Sequence, residues 1–267
     1  MSVELYQIDV SLVGRIDIES YIHELELASS LYSDSSELSI LNREKVLMNP
    51  SRLFLSLLEK AKILSERTLG YYQPAIHGAW SAMELDELSD EHVEAADMLN
   101  VEISGDRVTL GNPLTELSFN AIAQGYLTDR VAQYLRELDV NSAILYLGET
   151  YAVGSHPEGR QWSLAVMGTP KNGETDLVGT LQFADAGLAV STHDATRKLL
   201  NPKQTGAITP NIVVAVVSEE GAAVADAFAT AFAVAPQSDW LELQAKLSAG
   251  GASQVKIWVE NELVFGH

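Results

Sequence analysis

The sequence predicts an α+β fold, with helices early in the chain and a largely antiparallel sheet, packed by helices, later. Three observations carry this expectation. Helix-start signals and 3.6-residue apolar periodicity fill the chain up to about residue 100. Short β-branched runs separated by turn residues dominate after it. The last two of these runs flank Glu260-Asn261 as the arms of a hairpin. The chain has 267 residues, with no internal repeat and no low-complexity linker. The expectation is therefore a single domain over 1–267 with a helical N-terminal subregion over 1–100.

Taken in order, residues 4–13 read as a first strand, and a helical pattern follows from Ile18 to Leu31. Asp34-Ser-Ser-Glu37 has the form of a capping box that opens a short helix. Asn49-Pro50 is a second start signal, with Asn as N-cap and Pro at the first helical position. The helix it opens would end at Gly70. Residues 71–80 read as irregular, and a surface helix starts near Ser89. Strands are predicted at 107–110, 142–147, 162–167, 177–183, 188–190, 211–217, 254–259 and 263–265, with helices at 125–138, 222–235 and 240–248. Lys171 to Asp176 reads as an exposed loop.

Composition narrows the function classes. There are 37 acidic and 17 basic residues, for a net charge of −20. Such a surface repels nucleic-acid phosphates and anionic membranes, so neither is an expected partner. An anionic cofactor would need local help from backbone N–H groups or a cation. The absence of cysteine excludes disulfides, thiolate metal sites and Cys nucleophiles. There is no signal-peptide pattern and no apolar run long enough to span a membrane. The chain as given reads as cytoplasmic, or as periplasmic if a leader has been removed.

Three stretches could carry chemistry. In SFNAIAQGYLTDR (118–130) small residues run into a helix, whose start offers unpaired N–H groups to a phosphate. Most such stretches are only turns. The helical run AAVADAFATAFAVA (222–235) is apolar almost all round, and Asp226 is its only charged residue. Thr230 lies four positions on, on the same face. A buried carboxylate needs a partner. Asp226 is either hydrogen-bonded within the fold, or paired with an Arg, or one ligand of a divalent site built from carboxylate, hydroxyl and carbonyl oxygens, which suits Mg²⁺. The third stretch, 191–206, is dense in polar groups. Ser191, Thr192, His193 and Lys198 could each touch a ligand, or lie in a solvated loop. No G-x-S-x-G, H-E-x-x-H or P-loop pattern is present.

Six segments, in the same order, resemble those of the FAD:protein FMN transferase family, the ApbE-like flavin-trafficking proteins. They are LYSDSSELSILNR (31–43), SERTLGYYQPAIHGAW (65–80), SFNAIAQGYLTDR (118–130), LYLGETYAVGSHPEGRQWSLAV (145–166), LLNPKQTG (199–206) and VADAFATAFAV (224–234). The resemblance implies an ApbE-like, T-fold-related α+β architecture. It also implies a Mg²⁺-dependent reaction in which FMN is cut from FAD and joined through its phosphate to a Thr or Ser of a target flavoprotein, releasing AMP. Carried over residue by residue, it makes Asp226 and Thr230 metal ligands, with the backbone carbonyl of Ala123 as a third. It sets Tyr32, Ser36, Glu37 and Asn42 near the flavin and Ile76 and Trp80 along the cofactor pocket. It assigns Asn120, Gly125, Gly148, Pro202 and Gly206 to the pocket's shape.

The chain also departs from the family pattern. Ser118 stands where the family has an acid, and Gly148-Glu149-Thr150 where it has Gly-Gly-Asp. That Asp is lost unless Glu149 substitutes from a shifted position. Lys198 stands where the family has the His that assists the attacking hydroxyl, and Asn201 holds the neighbouring acidic position. A lysine acts as a base only if burial or nearby positive charge removes its proton. Protonated, it pairs with a pyrophosphate oxygen. His193 is the other candidate for the missing base. Three functions follow from the resemblance: a flavin transferase, a non-catalytic FAD-binding accessory protein, and a Mg²⁺-dependent FAD hydrolase giving FMN and AMP.

Overall fold

The computed structural model describes residues 2–5, 18–170, 174–194, 198–205, 208 and 211–266. Its elements, in chain order, begin with β1 (Ser2–Leu5), α1 (Ile18–Ser29), α2 (Glu37–Glu44), β2 (Val46–Met48), α3 (Arg52–Arg67), α4 (His77–Glu84) and α5 (Asp90–Ala95). Next come β3 (Val101–Ser104), β4 (Arg107–Leu110), α6 (Ala123–Glu137), β5 (Ala143–Tyr146), β6 (Thr150–Val153), β7 (Trp162–Met167) and β8 (Leu177–Phe183). The last are β9 (Ala186–His193), β10 (Ile212–Ser218), α7 (Ala222–Val234), α8 (Trp240–Ser248), β11 (Ser253–Val259) and β12 (Glu262–Gly266). This is the mixed α+β class that the sequence predicts. The chain divides into two compact units. One gathers Met1–Asp17, Gln124–Leu199 and Ile208–His267, and the other Ile18–Ala123 with Leu200–Ala207.

In the first unit, the described residues form a seven-stranded sheet in the order β1-β5-β6-β9-β10-β11-β12, antiparallel throughout. Its interior strand β10, IVVAVVS, is buried along its whole length, as a β-branched run covered on both faces must be. One face packs against the β7–β8 pair through Ile144, Trp162, Leu181, Phe183, Val213 and Trp258. The other face carries α7 on β9 and β10. Phe228 and Phe232 of α7 are fully buried, each worth roughly 1.5–3 kcal/mol relative to exposure. Glu260 and Asn261 both take positive φ between β11 and β12, the backbone that a tight antiparallel hairpin requires.

Helix α7 is also gripped at its start. A Cβ on Gly125 of α6 would lie 2.6 Å from the backbone of Ala222 and Ala223, so only glycine allows this approach. One turn further along α6, the Asp129 carboxylate accepts the N–H groups of Ala222 at 2.6 Å and Ala223 at 3.1 Å. Two of the helix's orphan donors are thereby satisfied by another helix.

The second unit holds α1–α5 and a three-stranded antiparallel sheet in the order β2-β4-β3. Two helix starts lie later than the sequence signals suggest. The cap of α2 is Ser36, which accepts from Ser39 N–H, and not Asp34. Its Oγ–H in turn donates to the Ser30 carbonyl, so an earlier start would forfeit that tie. The cap of α3 is Ser51, because Asn49 turns to positive φ at the end of β2. The stretch 71–80, expected to be irregular, contains the first half of α4. The predicted first strand is observed over Ser2–Leu5, and its continuation over 6–13 lies outside the described residues. So does the 171–173 part of the predicted loop. Among the described residues no helix is long and apolar enough to cross a membrane.

Candidate functional site

The first unit brings four oxygen-bearing side chains to one place. Asp226 sits midway along α7, only 7% exposed, and no donor among the described residues hydrogen-bonds its carboxylate. Thr230, one helical turn on, shares a hydrogen bond with Ser191 of β9 at 3.2 Å. Glu149 stands at the turn between β5 and β6, half-buried. Burial pushes the Asp226 carboxyl well above the usual carboxylate range, and the nearby Glu149 carboxylate adds to the shift. Burial pushes Glu149 itself up to about 8.

A buried acid with a second acid beside it and no donor is costly unless a proton or a cation is shared. Among the described residues no group of three or more His, Cys, Asp or Glu could hold a metal ion. The set is two carboxylates and two hydroxyls, oxygen only, which fits a hard cation such as Mg²⁺. Ala123, the other predicted ligand, is the first residue of α6 and the last of its stretch in the second unit. Its N–H is bonded to the Phe119 carbonyl at 2.7 Å.

Neither candidate for the missing base is set up as one. Ser191, Thr192 and His193, read from sequence as a possible loop, lie on β9, paired with Val214, Val213 and Ile212. The strand runs on because those β10 partners are β-branched and buried. His193 Nδ1 accepts the N–H of Leu199 at 2.9 Å. With that lone pair occupied, the neutral imidazole carries its proton on Nε2. Lys198 is exposed and makes no ion pair among the described residues.

The predicted flavin positions fall mostly in the second unit, where several are used by the protein itself. Ser36 is the fully buried cap of α2. The Glu37 carboxylate accepts both the N–H and the Oγ–H of Ser51, each at 2.5 Å. The Asn42 side-chain amide donates to the Leu117 carbonyl at 2.8 Å and accepts the Leu117 N–H at 2.7 Å. These three fasten α2 to its neighbours. Tyr32 differs, being 93% exposed. Trp80 is 38% exposed and stacks on His77, whose pKa is lowered by burial. Ile76 packs on Ala79, Ala96 and Leu200. Asn120 is exposed, its N–H bonded to Ser118 Oγ at 3.2 Å. Ser118, which stands where the family pattern has an acid, thus makes a local turn.

A cavity of about 640 Å³ within this unit is lined by Gly70, Gln73, Pro202 and Lys203, so the motif segments 65–80 and 199–206 meet there. The Lys203 ammonium lies 3.8 Å from the centre of the Tyr71 ring. Neither Tyr32 nor Trp80 lines this cavity. Gly148, in the first unit, takes φ +105° against the Gln124 side chain, and Gly125 serves the helix contact described above. Gly206 lies outside the described residues. Sequence reading missed the role of Asp129, and it named Ser191 as a possible ligand contact without its hydrogen bond to Thr230. For Asp129 the only signal was its acid type one turn after the glycine.

The fold is shared with solved ApbE structures. The flavin transferase ApbE of Vibrio cholerae superposes with a TM-score of 0.75 at 19% identity, covering 97% of this chain and 89% of that one. The ApbE protein of Thermotoga maritima gives 0.77 at 18% identity, covering 99% and 91%. The sequence itself matches the ApbE family over residues 1–252. The chain belongs to the ApbE family.

Two relatives bearing the name FAD:protein FMN transferase are similar to it. That of Haemophilus influenzae is 23% identical over 194 residues, or 66% of this chain. That of Rhodobacter capsulatus is 25% identical over 215 residues, or 72% of this chain. The matched stretch spans 56% and 40% of those relatives' own lengths.

Proposed function

We propose that this chain is an FAD:protein FMN transferase that works with Mg²⁺ and modifies a Thr or Ser of a target flavoprotein. Family membership and the names of two relatives support the reaction. The observation that carries the cation is the Asp226 carboxylate, buried beside a second acid with no donor among the described residues. In the reaction, the acceptor hydroxyl oxygen bonds to the FMN phosphorus, the bond from that phosphorus to the AMP oxygen breaks and AMP leaves with its electron pair, and the hydroxyl proton passes to solvent. When bound, the cation offsets charge on the pyrophosphate oxygens.

The chain's own residues take the remaining roles. Asp226 and Thr230 hold the cation from one face of α7, and Ser191 orients the Thr230 hydroxyl. Lys198 offers positive charge to a phosphate oxygen. The exposed ring of Tyr32 and the half-exposed indole of Trp80 offer faces on which a flavin can stack.

The His193 geometry favours a second reading. With Nδ1 holding the Leu199 amide, His193 is not poised as a base for the acceptor hydroxyl, and FAD is then bound, or hydrolysed to FMN and AMP, without transfer. Incubation with FAD and Mg²⁺, with and without a Ser/Thr-bearing acceptor protein, separates these outcomes by mass spectrometry. A mass gain of one FMN on the acceptor supports transfer. AMP and free FMN support hydrolysis, and FAD recovered intact from the protein supports binding alone. If FAD does not bind, every version of the proposal fails.

A further inference from the structure

Glu149 and Asp226 are 77 positions apart in sequence, yet strand register and the packing of α7 on β9 bring them to one face of the sheet. Strand β6 pairs with β9 through Thr150↔Leu188 and Tyr151↔Gly187. Continuing that register by one residue sets Glu149 opposite Ala189. Residues directly opposite in an antiparallel pair point to the same side of the sheet, and faces alternate along each strand. Ala152, Ala186 and Leu188 belong to the core shared with β7–β8. Glu149, Gly187, Ala189 and Ser191 therefore face the other way, towards α7.

Helix α7 is pinned to β9 at two points on that face. Ala222 sits against Gly187, where a Cβ would overlap its backbone, and Thr230 is hydrogen-bonded to Ser191. From Ala222 to Thr230 a helix advances roughly 12 Å, and from Gly187 to Ser191 a strand advances roughly 13 Å. The two elements thus run alongside each other in step. The midpoint of the helical stretch is Asp226, and the midpoint of the strand stretch is Ala189, the residue opposite Glu149.

The β5–β6 turn is held in place as well. Leu147 N–H donates to the Glu149 carbonyl at 3.0 Å, and Gly148 rests on the Gln124 side chain at the start of α6. The next residue of that helix, Gly125, is the one that abuts Ala222 and Ala223.

From this juxtaposition we infer that Glu149 is a second carboxylate ligand of the cation assigned above to Asp226 and Thr230. The inference rests on that reading and deepens it. The second, independent observation is Asp226 itself, a carboxylate more than nine-tenths buried and without a hydrogen-bond partner among the described residues, which shares this face with Glu149.

The test is direct cation binding by the full chain. Mn²⁺ is titrated with and without FAD, the free ion is read by electron paramagnetic resonance, and Mg²⁺ is the competitor. Circular dichroism checks that each variant is folded. Removing one of two carboxylate ligands in Glu149→Gln should weaken Mn²⁺ binding about tenfold or more, and Asp226→Asn should abolish it. Wild-type affinity in Glu149→Gln, with binding lost in Asp226→Asn, overturns the role of Glu149 and leaves the Asp226 reading standing. No saturable Mn²⁺ binding by the unaltered chain, or unchanged binding in both variants, overturns the cation reading and Glu149 with it.

Discussion

The Asp129 carboxylate accepts the Ala222 N–H at 2.6 Å, so α7, which carries Asp226, is capped by a side chain of α6. A helix entered through Gly221 has no side-chain cap of its own. Asp129→Ala should therefore lower stability by about 1–3 kcal/mol, the usual effect of losing a charged cap from a part-buried helix end. Urea denaturation measures it. A loss no larger than a surface substitution gives would show that water replaces the cap.

Gly125 tests the closeness of the same two helices. Glycine to alanine in a helix interior normally stabilises by up to about 1 kcal/mol. Here the added carbon would meet backbone at 2.6 Å, where nothing flexible can yield. The steric term wins, and Gly125→Ala should destabilise by about 1–3 kcal/mol or block folding. A melting temperature equal to or above that of the unaltered chain would contradict the packing described.

Asp185 sets an acid-side dependence. Burial raises its pKa, but the Gly154 N–H at 2.8 Å and Arg136 at 2.9 Å outweigh it, and the net shift is downward. A carboxylate lowered in the folded state stabilises above its unfolded pKa, and that stabilisation is lost as pH falls through the lowered folded value. The urea midpoint of the unaltered chain should thus fall below about pH 4, near the ordinary aspartate pKa. In Asp185→Asn this part of the acid dependence should be gone, while stability at neutral pH is lower. Superimposable pH profiles for the two proteins would rule out the contribution.

Much of the fold was legible because local signals and global packing agree. The run IVVAVVS was bound to be a buried strand, and the apolar stretch around Asp226 a buried helix. Helix starts were less legible, since Ser36 and Ser51 won over Asp34 and Asn49 through contacts and backbone turns that no short window shows. Strand β6, only four residues long, carries too little pattern to be seen alone.

The site was legible in part. Asp226 was marked by its chemistry, a lone charge on an apolar helix. Glu149 was visible only as a departure from a motif, because its relation to Asp226 is set by the β6–β9 register together with the packing of α7 on β9. Asn42 shows the reverse case. A motif position expected near a ligand spends its amide on Leu117, 75 residues away in sequence.

The most direct test of the central claim is calorimetric titration of FAD into the unaltered chain and into Asp226→Asn, each with Mg²⁺ and with a chelator. The account predicts that Mg²⁺ tightens FAD binding to the unaltered chain and leaves binding to Asp226→Asn unchanged. The same Mg²⁺ dependence in both proteins, or no FAD binding by either, would contradict it.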